Sequence, residues 1–201
     1  VLEAGCGSGA GFLCLAARVP DLRVAAVERD PVLAALARAN GAANGLDAAR
    51  LEVATGEVGD LALAPRLGPA AHGFANPPFW PGGTPPPAAG RRGATHESAA
   101  SLTEWAAFLA AGVEAGGTVT LILPTARLDA GLAALAAAGC GAARLIPLWP
   151  RAGVAAKRVI LQVRKARRGP ARLEPGLVLH GDGTAYTPAA EAVLRGAAAI
   201  A

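Results

Sequence analysis

Aromatic side chains are scarce in this chain. Phe, Trp and Tyr make up 4% of its 201 residues, so the position of each one is informative. Cysteine is scarce too: Cys6, Cys14 and Cys140 form an odd set without metal-ligand spacing, which suits a reduced, cytoplasmic protein. His72, His96 and His180 lie far apart with no Cys or His at ligand spacing, so no metal site is expected. No apolar run has the length needed to cross a bilayer, and no membrane partner is expected. No signal peptide is visible, but the chain starts at Val1 and already reads as a strand there. A single domain over residues 1–201, lacking its N-terminal segment, is the expectation. Charged residues are only 17% and hydrophobic ones 53%, a globular composition and not a disordered one.

What charge there is sits unevenly. The net charge is +4. Arg91-Arg92, Lys157-Arg158, Arg164-Lys165 and Arg167-Arg168 all fall after position 90. A basic later half suits a polyanionic partner.

Turn residues divide the apolar runs into alternating strands and helices. Val1–Ala4, Leu22–Val27, Arg50–Ala54 and Gly73–Ala75 read as strands. Residues 65–73 read as a connection, and residues 81–97 as a long Gly/Pro/Arg loop. Phe12–Val19 reads as a helix stopped by Pro20, and Asp30-Pro31 starts another that runs to Asn44-Gly45. Ser101-x-x-Glu104 is a capping box for a helix to about Ala115, closed by Gly116-Gly117. Thr118–Leu123, Ala142–Trp149 and Arg158–Val163 complete seven strands around a helix at Leu128–Ala138. The last two have no helix between them and predict an antiparallel hairpin at one end of the sheet. A final helix from Thr187-Pro188 to about Ala199 closes the chain. The alternation predicts an α/β fold with a mostly parallel sheet.

Gly5-Cys6-Gly7-Ser8-Gly9-Ala10-Gly11 lies between the first strand and the first helix. Its spacing fits both a dinucleotide fingerprint and an S-adenosylmethionine loop. Glu3 just before the loop would repel a pyrophosphate and attract an ammonium group. Glu28, with Arg29 beside it, ends the second strand, where a carboxylate accepts both hydroxyls of a ribose. Glu57 or Asp60, after the third strand, would accept from an adenine amino group. The candidate cofactor-binding set is therefore Glu3, Gly5, Cys6, Gly7, Gly9, Glu28, Arg29 and Glu57.

Asn76-Pro77-Pro78-Phe79 follows the fourth strand. Two prolines hold the backbone rigid and end the ladder. The Asn76 side-chain oxygen and the Pro77 carbonyl can then form an acceptor pair for a planar amino group, with Phe79 as a ring face for a flat base. Trp80 extends that wall or packs in the core, and Trp105, on an apolar helix, belongs to the core.

With these motifs in order, the chain resembles the class I S-adenosylmethionine-dependent methyltransferases, and within them the bacterial tRNA1(Val) adenine-N6 methyltransferase family. Arg91-Arg92 to His96-Glu97, Pro147-Leu-Trp-Pro-Arg151 with Ala156-Lys-Arg158, and Leu179-His180 with Tyr186-Thr-Pro188 carry the narrower likeness. The resemblance implies a Rossmann-like fold, S-adenosylmethionine as cofactor and tRNA as partner. It further implies Asn76, Pro77, Pro78 and Phe79 as the catalytic element, and RNA contacts by Arg91, Arg92, Lys157 and Arg158. A protein-glutamine methyltransferase acting on a release factor shares the Asn-Pro-Pro-aromatic element and is the first alternative. A non-catalytic RNA- or protein-binding domain on the same fold is the second, and a NAD-dependent oxidoreductase the third.

Overall fold

The computed structural model describes residues 1–78 and 100–200. The first half alternates β1 (Leu2–Ala4), α1 (Ala10–Ala16), β2 (Val24–Glu28), α2 (Pro31–Ala43), β3 (Leu51–Thr55), α3 (Leu63–Leu67) and β4 (Ala70–Ala75). The second contains α4 (Leu102–Gly112), β5 (Val113–Pro124), α5 (Leu128–Ala137), β6 (Cys140–Trp149) and β7 (Arg158–Lys165). Two short strands, β8 (Arg172–Leu173) and β9 (Leu177–Val178), precede α6 (Pro188–Leu194).

Helix starts follow the local chemistry. Asp30 Oδ1 accepts from the Val32 and Leu33 amides at 2.8 and 3.3 Å, with Pro31 at the first helical position of α2. At α4 the Ser101 hydroxyl accepts from the Glu104 amide at 3.3 Å, and the Glu104 carboxylate accepts from the Ser101 amide at 2.6 Å. Ser101→Ala is expected to cost about 1 kcal/mol. Urea unfolding would show a lower midpoint at unchanged slope; an unchanged midpoint would remove the cap from the account.

The sheet runs β3-β2-β1-β4-β5-β7-β6-β8, with β9 also paired to β6. Strands β1 to β5 are mutually parallel, while β7 is antiparallel to both β5 and β6. The carboxyl ends of β1 to β6 therefore share one edge. Strand order reverses between β1 and β4, and it is above such a reversal that open α/β sheets bind ligands. Helices α4 and α5 bury one face, where Phe108 and Leu109 pack with Val119, Leu121, Leu123 and Leu161. On the first strands a second cluster forms around Phe12, Ala26, Ala34 and Val53.

Several boundaries differ from the sequence reading. Gly116-Gly117 does not end α4, which stops at Gly112. The pair sits inside β5, where the register against β4 shifts between Ala70 and His72. A Cβ on Gly117 would meet the Ala71 carbonyl oxygen and the Val113 side chain, each at 2.6 Å. These glycines make a bulge that looks in sequence like a helix stop. The connection at 65–73 holds the end of α3 and the start of β4. The sheet gains β8 and β9 beyond the seven expected strands, and α6 stops at Leu194, short of Ala199. The expected loop at 81–97 lies outside the described residues. Among the described residues no helix is long and apolar enough to cross a membrane, and no group of His, Cys, Asp and Glu is arranged to hold a metal ion.

Candidate functional site

The glycine loop leaves β1 between β2 and β4 and is held from several sides. The Gly5 and Cys6 amides both donate to the Val27 carbonyl, at 2.9 and 3.1 Å, and the Gly9 amide donates to Cys6 at 2.9 Å. The Gly7 amide donates to Glu28 Oε2 at 2.8 Å, while Glu28 Oε1 accepts from the Asp30 amide at 3.0 Å. The Asn40 side-chain amide reaches over from α2 to the Ser8 carbonyl at 2.9 Å. Glu3 Oε2 accepts from the Phe12 amide at 2.9 Å. Four loop amides are thus spent on protein acceptors, one of them the Glu28 carboxylate, and a second carboxylate, Glu3, takes the Phe12 amide in α1. That arrangement suits a cationic or neutral ligand and disfavours a pyrophosphate, which needs free amides and no adjacent acid.

Two glycines show where space is tight and where it is open. A Cβ on Gly11 would collide with the Glu3 carboxylate, so the bare helix start lets that acid lie against α1. Gly7 has φ 55° and nothing within 4 Å of where its Cβ would point. The loop is therefore open above Gly7 and packed beneath Gly11.

Glu3 is 7% exposed. Burial raises its carboxyl from 4.5 to about 8, with the Phe12 amide opposing the shift. A cation beside it would favour the ionised form. Cys6 is buried, its thiol pushed up to about 12 by burial and by the charges of Glu3 and Glu28. Its Sγ donates to the neighbouring Gly7 carbonyl at 3.7 Å, so it packs and does not act as a nucleophile.

Register carries the remaining groups to the same edge. Ala4 lies opposite both Val27 and Ala75, and Glu28 opposite Thr55. Gly5, Glu28 and Asn76 consequently emerge at one level, with Asn76 about 10 Å from Glu28 across two strand spacings. Glu28 is 8% exposed, and each of its oxygens keeps a lone pair beyond the one used by an amide. Asn76 is exposed, Pro77 buried and Pro78 half-buried. The Asn76 side chain has no hydrogen-bond partner among the described residues. Phe79, Trp80, Arg91, Arg92, His96 and Glu97 lie outside the described residues.

The two acids after β3 separate clearly. Asp60 Oδ1 accepts from the Ala62 amide at 3.1 Å and is committed to its own turn. Glu57 is exposed with its carboxylate unengaged among the described residues. Arg29 is exposed and holds an interaction of its own.

Lys157, at the end of the segment joining β6 to β7, and Arg158, the first residue of β7, are exposed. Because β7 runs against β5, that segment returns to the edge that carries Asn76. Thr125, just past β5, anchors it through its amide to the Lys157 carbonyl at 3.1 Å and its hydroxyl to the Ala156 carbonyl at 2.8 Å. Three contributors were not read from sequence as site residues. Asn40 secures the loop, Trp105 sits with its ring against Gly5 where a Cβ would fall, and Arg151 braces a neighbouring turn. Only the Pro150-Arg151 pair in a basic segment hinted at the last; long-range packing hid the other two.

No protein-family model matches the chain. Over 129 residues it is 33% identical to a curated protein in each of two Porphyromonas gingivalis strains, named tRNA1(Val) (adenine(37)-N6)-methyltransferase. The match covers 63% of this chain and 50% of theirs, so it spans about half the length of those relatives. Among solved structures, a predicted O-methyltransferase from Agrobacterium tumefaciens superposes with a TM-score of 0.77 at 23% identity, covering 99% of this chain and 89% of that one. A geranyl diphosphate C-methyltransferase from Streptomyces coelicolor, in complex with S-adenosyl-L-homocysteine, gives a TM-score of 0.58 at 13% identity over 82% of this chain and 70% of its own. The chain has the class I methyltransferase fold and, in sequence, resembles the tRNA1(Val) adenine-N6 methyltransferases.

Proposed function

We propose that the chain is an S-adenosylmethionine-dependent N-methyltransferase acting on the N6 amino group of adenine in a tRNA anticodon loop. The observation that carries this reading is the Asn76 side chain, without a hydrogen-bond partner among the described residues and exposed at the level of Gly5 and Glu28 above the strand reversal. Glu28 would hold the ribose hydroxyls of the cofactor and Glu57 its adenine amino group. The buried Glu3 would face the methionine ammonium. Bound there, S-adenosylmethionine supplies a methyl group on an electrophilic sulfonium.

The chain's own task is to aim the acceptor. An adenine amino nitrogen is a poor nucleophile because its lone pair is delocalised into the ring. Asn76 Oδ1 and the Pro77 carbonyl each accept one amino hydrogen, which favours a pyramidal nitrogen with its lone pair directed at the methyl carbon. Orientation supplies most of the advantage. No strong base is needed beforehand, because the nitrogen turns acidic only as it gains positive charge. Phe79 stacks on the target base, and an anticodon-loop base costs little to unstack. Lys157, Arg158, Arg91 and Arg92 neutralise RNA phosphates. The name of the Porphyromonas relatives supports the choice of tRNA over other acceptors.

The deciding experiment incubates the chain with unmodified tRNA and labelled S-adenosylmethionine, followed by mass spectrometry of nucleosides. N6-methyladenosine is the expected product. Label on a release-factor glutamine and none in tRNA would overturn the adenine assignment while keeping the donor. A failure to bind S-adenosylmethionine in calorimetry would overturn both and leave a binding domain on this fold.

A further inference from the structure

At the same sheet edge, past β9, residues 180–186 fold into a small turn that displays a pair of rings. His180 and Tyr186 stack with centroids 4.8 Å apart and planes 19° from parallel. An isolated antiparallel bridge joins their backbones, and the Gly181 amide donates to the Ala185 carbonyl at 3.3 Å. His180 Nδ1 faces the Thr184 carbonyl at 3.0 Å, which fixes that nitrogen as the donor. The turn is braced from the β6–β7 segment: Arg151 Nε donates to the Gly181 carbonyl at 3.2 Å and Nη2 to the Gly183 carbonyl at 2.9 Å. The His180 amide also donates to the Pro150 carbonyl at 3.0 Å.

This construction does little for the core. Every residue from 181 to 186 is exposed, and Tyr186, the chain's single tyrosine, is 41% exposed. A chain with so few aromatics presents its one tyrosine ring to solvent, stacked on a half-buried histidine and locked by bonds from two segments. Beside them stands the Arg151 guanidinium, with Nη1 left over from the brace, and the exposed Lys157, just before β7, lies along the same edge between β4 and β9. Asp182, at the tip of the turn, is the opposing charge.

We propose that the His180–Tyr186 pair is a stacking platform for a second base of the RNA, away from the one that is methylated, with Arg151 and Lys157 holding the phosphates between. This rests on the reading of the chain as an RNA-modifying enzyme and adds a subsite to it. Rigid, exposed aromatic faces flanked by cations are how proteins grip single-stranded nucleic acid without reading its sequence. Four strand spacings separate β4 from β9, about 19 Å, or roughly six stacked nucleotides. A trinucleotide centred on the target adenine cannot reach both places, whereas an anticodon-arm hairpin can.

The difference in reach supplies the test. The Kd of the full chain would be measured by fluorescence anisotropy for an unmodified anticodon-arm hairpin and for an adenine-centred trinucleotide. Tyr186→Ala should weaken hairpin binding about five- to a hundredfold and leave the trinucleotide unchanged. Tyr186→Phe, which keeps the ring, should behave as wild type. The salt dependence of hairpin binding should keep its slope in Tyr186→Ala, because no charge is lost, and flatten in Lys157→Ala by about 0.7. Unchanged hairpin affinity in Tyr186→Ala overturns this inference alone. Equal loss on both RNAs also overturns it, since that reports damage to the fold. A wild-type chain that binds neither RNA, or that methylates a protein glutamine instead, overturns it together with the reading beneath it.

Discussion

Replacing Asn76 with alanine is expected to lower kcat on an adenine-bearing RNA by about 10²–10³ while leaving the Kd for S-adenosylmethionine unchanged. The size follows from what the side chain is asked to do. It supplies one of two acceptors that hold an amino group in the reactive pose, and that demand grows as positive charge develops on the nitrogen. An interaction made mainly in the transition state appears in kcat and not in ground-state affinity. Asn76 stands two strands from Glu28, the candidate ribose acceptor, and one from the Gly5 loop, and its side chain engages no described residue. The variant should also fold normally, because the side chain is exposed and has no partner among the described residues to lose. Single-turnover kinetics with saturating cofactor, alongside calorimetry for the donor, would decide. An equal loss in kcat and cofactor affinity would show that Asn76 shapes the cofactor pocket and would dismiss its role as acceptor.

The parts of this arrangement that could be read in sequence are those written in local chemistry. Asp30-Pro31 and Ser101-x-x-Glu104 announce their helices because a cap satisfies amides within three residues of itself. The alternation of strand and helix gave the parallel sheet, and the missing helix between β6 and β7 gave their antiparallel pairing. What sequence could not say is that β7 inserts between β5 and β6, which is the step that brings Lys157 and Arg158 to the edge occupied by Asn76. Pairing of strands far apart in sequence is decided by packing on both faces, and no residue in a strand states its neighbour. Gly116-Gly117 failed as a signpost for a related reason: the same residues that end helices also make bulges. Near the glycine loop, the place of Glu28 at the end of β2 was legible in sequence. The depth of Glu3 was not, because its burial comes from the approach of α1 at Gly11 and from Phe74 across the β1–β4 pair.

That depth leads to the second large effect. With no cation beside it, the Glu3 carboxyl keeps its proton in the folded chain up to about pH 8, while the unfolded chain releases it near 4.5. Between those values the folded state holds a proton that the unfolded state does not, so the contribution of Glu3 to stability is complete below about pH 4.5 and is lost as pH rises towards 8. Glu3→Gln keeps the shape and removes the titration. Its thermal midpoint should gain on wild type steadily across that window. Binding of S-adenosylmethionine reverses the balance, since an ammonium group facing Glu3 favours the carboxylate. At pH 7 the wild-type protein should therefore release about one proton as the cofactor binds, and its affinity should rise with pH up to about 8. Calorimetry in two buffers of different ionisation enthalpy reads that proton directly. The apparent enthalpies should differ for wild type and coincide for Glu3→Gln, which should also bind more weakly above pH 8. If both proteins show the same buffer dependence, the proton comes from elsewhere and Glu3 is a structural acid holding the start of α1 through the Phe12 amide.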